Sequence, residues 1–262
     1  MPREIFRNRK LIFRLAKNDF KTKYAGSYLG IIWAFIQPVI TVLVYWFVFT
    51  VGLKAGSSTG YPFTVYLVSG IVPWFFFQDA LNGGTNTMIE YNYLVKKVVF
   101  NITILPLVKV ISALFVHLFF IVVALVLCAC FGYFPGIATI QIIYYSFCVF
   151  MFSLGLCYVT SAIVVFFRDL SQIIMIVLQV GIWMTPIMWD INILANHPTI
   201  IKIFKLNPIY YMVTGYRDAL LTHQGFWVHW KWGIYFWVVT LLILWIGTRI
   251  FKRLKIHFAD VL

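Results

Sequence analysis

The sequence predicts an all-α, polytopic membrane protein. It has six transmembrane helices, an N-terminal amphipathic interface helix and an outer re-entrant hairpin before the last span. Three observations predict this fold. Of 262 residues, 62% are hydrophobic and 11% charged, with a mean hydropathy of +0.91. Apolar stretches of roughly 20 residues, enough to cross ~30 Å of hydrocarbon, follow one another along the chain. A basic segment with separated faces precedes them all. A soluble domain cannot hide that much apolar surface, so lipid is the second solvent.

In chain order, residues 3 to 23 wind into a helix with two faces. Arg3, Arg7, Lys10, Arg14, Lys17, Asn18 and Lys21 fall within an arc of roughly 100°. Ile5, Phe6, Leu11, Ile12, Phe13, Leu15, Ala16 and Phe20 fill the opposite side. Such a helix lies in the membrane interface with its cations toward anionic headgroups, as an anchor or as a surface gripped by a cytoplasmic partner. Gly26, Ser27 and Gly30 then let the backbone turn upward.

Spans fall near Leu29–Gly52, Pro62–Leu81, Leu105–Phe131, Ile140–Phe167, Ile173–Met188 and Trp232–Phe251, the fifth of them short. Gly52–Gly60 reads as an exposed outer loop. Gly83–Thr103 reads as the one substantial cytoplasmic connection, carrying Glu90, Tyr91, Asn92, Tyr93, Lys96 and Lys97. Arg168-Asp169 marks a tight inner turn. Ile200–Leu221 is apolar but broken by Lys202, Lys205, Asn207 and Pro208, hence the hairpin, whose irregular backbone must be shielded by protein or face water. The whole chain is one transmembrane domain: residues 1–28 the interface helix, 29–251 the core, 252–262 a cytoplasmic tail.

Basic residues set the orientation. The leader, Lys96, Lys97, Arg168, Arg249, Lys252, Arg253 and Lys255 fall on one side; Lys54, Lys202, Lys205, Arg217 and Lys231 fall on the other. The bias is about threefold, which places both termini in the cytoplasm of a multi-pass cell-membrane protein. The +13 net charge is therefore mostly topological, and no soluble basic face is left for nucleic acid. The leader has no apolar region of signal-peptide type. Cys128, Cys130, Cys148 and Cys157 all sit in apolar spans and read as packing residues.

Several chemistries are excluded. No G-x-x-x-x-G-K-[ST] phosphate loop occurs, so the chain does not cradle ATP itself. No catalytic or metal-binding constellation is apparent, and His117, His197, His223, His229 and His257 have no acidic partner in sequence reach. A membrane-embedded transferase therefore has nothing to work with. Asp79 is the carboxylate inside a span, either functional or paired between helices. Polar side chains recur within spans: Trp33, Gln37, Thr41 and Tyr45 at i+4 in span one, and Gln172, Gln179 and Pro186 at sevenfold spacing in span five, with Trp183 nearby. Amides facing lipid are costly, so both strips face protein or a water-filled path. Aromatics at span ends form ordinary interfacial belts; those inside spans one and five suit the C–H faces of sugars.

The run from Lys23 to Pro38, through Gly26-Ser27-Tyr28-Leu29-Gly30 and Trp33-Ala34-Phe35-Ile36-Gln37-Pro38, resembles the N-terminal signature of ABC exporter permeases for lipid-linked polysaccharides and teichoic acids. Val165-Phe166-Phe167-Arg168-Asp169-Leu170, Thr185-Pro186-Ile187-Met188, and Asn207-Pro208-Ile209-Tyr210-Tyr211 with Arg217 resemble later landmarks of that family in the same order. Ala16 to Lys21 with Gly26 to Gly30 looks closest to the wall teichoic acid branch.

The resemblance implies a transport subunit, not an enzyme, without cofactors of its own. It would pair as a homodimer with two copies of a separate subunit that binds ATP and Mg. Its implied substrate is a polyprenyl-diphosphate-linked polymer, wall teichoic acid first, O-antigen or capsular polysaccharide as the alternative, and a drug or small lipid behind both. Arg7, Lys10, Glu90 and Tyr91 would couple to the ATPase. Arg14, Lys17, Lys21 and Lys23 would meet the anionic headgroup, and Trp33, Gln37, Thr41, Tyr45, Gln179 and Trp183 would line the substrate path.

Overall fold

The computed structural model describes residues 7–53, 60–95 and 101–262. Arg3, Ile5, Phe6, Lys54, most of the Gly52–Gly60 loop, Lys96 and Lys97 lie outside the described residues. The regular elements among the described residues are helical: α1 (Arg9–Lys23), α2 (Trp33–Trp46), α3 (Phe63–Glu90), α4 (Asn92–Val95), α5 (Leu105–Cys130), α6 (Gln141–Ile163), α7 (Leu170–Met184), α8 (Pro198–Lys205), α9 (Pro208–Arg217), α10 (Trp230–Leu254) and α11 (Phe258–Val261). Among the described residues, five helical segments are long and apolar enough to cross a membrane: Gly30–Gly52, Phe63–Glu90, Ile102–Cys130, Ile137–Ile163 and Phe226–His257.

The remaining expected span is α7, with 15 residues. At 1.5 Å per residue it reaches only ~22 Å, short of ~30 Å of hydrocarbon. It begins at Leu170 and stops at Met184 instead of running from Ile173 to Met188. Proline explains the stop. Pro186 has no N–H for the helical ladder, and the residue before it is pushed into extended backbone; Thr185 has φ −104° and ψ 128°. The chain continues as a buried, non-helical Thr185–Met188 segment.

A second correction concerns Gly83–Thr103. Its first part is no loop, because α3 continues unbroken to Glu90. Gly84 serves close packing: a Cβ there would collide with Cys157 Sγ on α6. Thr85 Oγ1 donates to Thr160 Oγ1 at 2.9 Å across the same contact. Gly84→Ala is expected to cost about 1–3 kcal/mol by overpacking. Thermal unfolding of the detergent-purified protein measures this, and an unchanged midpoint would mean that α3 and α6 do not approach so closely.

Helix α3 is the centre of the bundle, with 78% of its apolar window buried, against 6% for Gly30–Gly52. Helices α5, α6 and α9 pack around it. Helix α1 lies along α5, burying Ile12, Ala16 and Asp19, while Phe13 and Phe20 set their rings edge-on to Phe115. Part of the leader's apolar face is therefore covered by protein instead of lipid. Helices α8 and α9 form the expected hairpin, joined at Leu206-Asn207, where the Asn207 side chain caps α9 by accepting from the Ile209 N–H.

Candidate functional site

A cavity of about 1280 Å³ lies between the end of α1 and helices α2, α3, α5 and α7. Trp33, Gln37, Thr41 and Tyr45 line it from α2, and Gln179 and Trp183 from α7. From Trp33 to Tyr45 is twelve residues, so the cavity follows α2 for ~18 Å. Recurrence at i+4 drifts about 40° per step, which keeps this strip on one broad face. The Tyr45 and Trp183 rings meet edge to face, with centroids 6.4 Å apart, bridging α2 to α7. Gln172 and Pro186, grouped with Gln179 by spacing, are not in the wall: Gln172 is exposed and Pro186 is buried in the turn after α7.

The α3 wall is polar over several turns, with Gln78, Asp79, Asn82, Gly83, Asn86 and Glu90 all lining the cavity. Sequence reading picked out Asp79 and Glu90 and passed over the amides between them. The signal was present: i+3 and i+4 spacing continues past Gly83-Gly84 once the pair is read as a packing site. Ser171 Oγ donates to Asn86 Oδ1 at 2.6 Å, tying the first turn of α7 to this wall.

Among the described residues, charge enters the cavity only in pairs. Lys109 on α5, inside the apolar stretch Leu105–Phe131, is 9% exposed, and its Nζ lies 2.7 Å from Asp19 Oδ1 of α1. Lys109 also pairs with Glu90. The Tyr91 hydroxyl donates to Asp19 Oδ1 at 2.7 Å; burial, then the Asp19 carboxylate, push that phenol's pKa up. Glu90 and Tyr91 therefore hold α1 onto the core. Lys23 pairs with Asp79. Burial opposes the Lys23 charge, but the Asp79 carboxylate outweighs it and holds the ammonium above its ordinary range.

The expected headgroup cluster is thus divided. Lys23 faces the cavity and is engaged by Asp79, whereas Arg14 and Lys17 line a shallow groove of about 700 Å³ on α1 with Arg9, Lys10 and Phe13. Arg7 and Lys21 are exposed.

At the other end, landmarks far apart in sequence meet. The half-buried Arg217 side chain donates from Nη1 to the Pro186 carbonyl at 2.8 Å and from Nη2 to the Ile187 carbonyl at 2.9 Å. Its guanidinium stacks 3.6 Å from the centre of the Tyr66 ring. Asn207 Nδ2 donates to Thr185 Oγ1 at 3.1 Å. The non-helical turn after α7 is thereby fastened to α9 and α3.

Two histidines have partners that sequence distance concealed. His229 Nε2 lies 3.3 Å from Asp218 Oδ2, which corrects the expectation of no acidic partner, because the chain folds back after α9. His117 Nε2 lies 2.9 Å from the Tyr216 hydroxyl and 3.2 Å from Ser146 Oγ. Among the described residues no group of three or more His, Cys, Asp or Glu is placed to hold a metal ion.

Comparison with known proteins agrees with this architecture. The chain is 27% identical over 263 residues to the O-antigen export system permease protein RfbA of Myxococcus xanthus, covering 99% of this chain and 98% of that protein. Two proteins of the same name from Klebsiella pneumoniae are each 23% identical, covering 96% of this chain and 95% of theirs. Residues 10–221 match the family model described as ABC-2 type transporter, and the chain is a polytopic membrane protein that belongs to that family.

Proposed function

We propose that this chain is the transmembrane subunit of an ATP-driven exporter that carries a polyprenyl-diphosphate-linked cell-envelope polysaccharide across the cytoplasmic membrane. One observation carries the reading: the polar and aromatic strips of α2 and α7 share one cavity of about 1280 Å³ with the amide-rich wall of α3. Amides bond sugar hydroxyls, and flat rings cover sugar C–H faces. Full-length similarity to permeases named for O-antigen export favours an O-antigen-type glycan, and nothing comparable supports wall teichoic acid.

Energy comes from a separate ATPase that binds ATP and Mg, since the sequence has no phosphate loop. Two permeases pair with two ATPases. Support for pairing lies in exposure: α2 buries only Ala34, and α7 only Leu178 and Ile182, so a second copy across these helices would close the cavity. Both termini face the cytoplasm. Arg7, just before α1, and Lys10 on it receive the ATPase stroke, and the Glu90–Lys109–Asp19–Tyr91 cluster passes it to the core. Arg14, Lys17 and Lys21 meet the diphosphate at headgroup level, with Lys23 behind them already paired.

The test is export in cells carrying the permease, its neighbouring-encoded ATPase and the glycan-synthesis enzymes. Trp33→Ala and Gln37→Ala are expected to lower surface glycan about tenfold while the ATPase still co-purifies. Loss of co-purification instead would assign these residues to assembly, and glycan export that survives deletion of the permease would refute the proposal.

A further inference from the structure

The charges around the cavity carry an inference about which polymers fit it, resting on the polymer-export reading above. Among the described residues, the charged side chains lining the cavity are Lys23, Lys109, Asp19, Asp79 and Glu90. Lys23 is taken by Asp79. Lys109 is shared by Asp19 and Glu90. Two cations face three carboxylates, so the wall has a formal charge of −1 and both of its lysines are engaged. The remaining polar lining includes neutral amides, among them Gln37, Gln78, Asn82, Asn86 and Gln179.

We infer that the cavity selects a glycan without charges along its repeat units and discriminates against polymers with a phosphate in every repeat. Among the described residues a phosphodiester chain in this space would find no unpaired ammonium or guanidinium to replace its lost hydration, and burying a charge without a partner is costly. It would also have to displace Asp79 or Glu90 from an existing pair. An uncharged glycan can bond the amides and hydroxyls and lie against the Trp33 and Trp183 rings without displacing either ion pair. The one obligatory anion of a lipid-linked substrate is its diphosphate, and that group can stay outside. Lys10, Arg14 and Lys17 are exposed on α1, with no carboxylate partner among the described residues. Cations at headgroup level and a self-neutralised cavity thus divide the substrate between two sites.

The experiment expresses the permease with its ATPase in two strains lacking their own exporter. One makes polyprenyl-diphosphate-linked polymannose; the other makes polyprenyl-diphosphate-linked poly(glycerol phosphate). Surface polymer is measured against the amount accumulated inside. At least a tenfold advantage for polymannose is expected. Comparable export of the two overturns this inference and leaves the export reading intact, whereas export of neither overturns both.

A charge change then tests the cause. Asp79→Asn with Glu90→Gln removes two negative charges from partly exposed positions and brings the lining to +1. The ratio of polyanion to neutral glycan is expected to rise at least fivefold. An unchanged ratio in a complex that still assembles, for the double variant and for Glu90→Gln alone, overturns the assignment of selectivity to these charges.

Discussion

Lys109→Met is expected to cost about 3–5 kcal/mol and to free α1 from the bundle. Lys109 is 9% exposed and Asp19 is 6% exposed at the side chain. Removing the ammonium leaves the Asp19 carboxylate buried, with only the Tyr91 hydroxyl to stabilise it. A surface pair such as Lys23–Asp79, with its side chains 38% and 34% exposed, contributes at most ~1 kcal/mol by comparison. Thermal unfolding of the purified complex reads the loss. Adding Asp19→Asn to Lys109→Met is expected to recover more than half of it, since the stranded charge is then gone. If the double variant is as unstable as the single, the Lys109 stem, not its charge, is what holds α1.

The second large effect is expected at Arg217. Its two bonds to the Pro186 and Ile187 carbonyls, at 2.8 and 2.9 Å, come from a charged donor. Such bonds contribute about 1.5–3 kcal/mol each, so Arg217→Met is expected to destabilise by about 3–5 kcal/mol. Arg217→Lys keeps the charge but not the planar fork, so it reaches one carbonyl and loses the stacking on Tyr66. It should fall between wild type and Met in unfolding temperature. Because the turn held by Arg217 ends α7, both variants are also expected to lower export through Gln179 and Trp183. Equal stability of Arg217→Lys and wild type would show that charge alone suffices.

Much of this architecture is legible in the sequence, because lipid makes a simple demand: apolar segments of sufficient length read directly as spans. The α2 strip was legible for a related reason, since polar side chains at i+4 in an otherwise apolar helix have to face something other than lipid. Lys109 was not legible. A single lysine scarcely changes an apolar window, and its partners lie 90 positions earlier at Asp19 and 19 earlier at Glu90. The connection expected from Gly83 onward begins later, because α3 runs on to Glu90 and Gly84 makes room for Cys157. The pairing of Lys23 with Asp79 was equally hidden, although both residues were noticed. Sequence lists charges, and only the fold says which cancel.

The break after Met184 leaves part of the bilayer's depth to irregular backbone. With α7 ending after ~22 Å, about 8 Å of hydrocarbon thickness on the hairpin side has no spanning helix from that element. That depth is occupied by a turn whose carbonyls are held by Arg217, with the α8–α9 hairpin joined to it through Asn207 and Thr185. On the proposed export reading, a polymer leaving past Trp183 would meet backbone that one arginine keeps in place, so protein and not lipid would shape that exit.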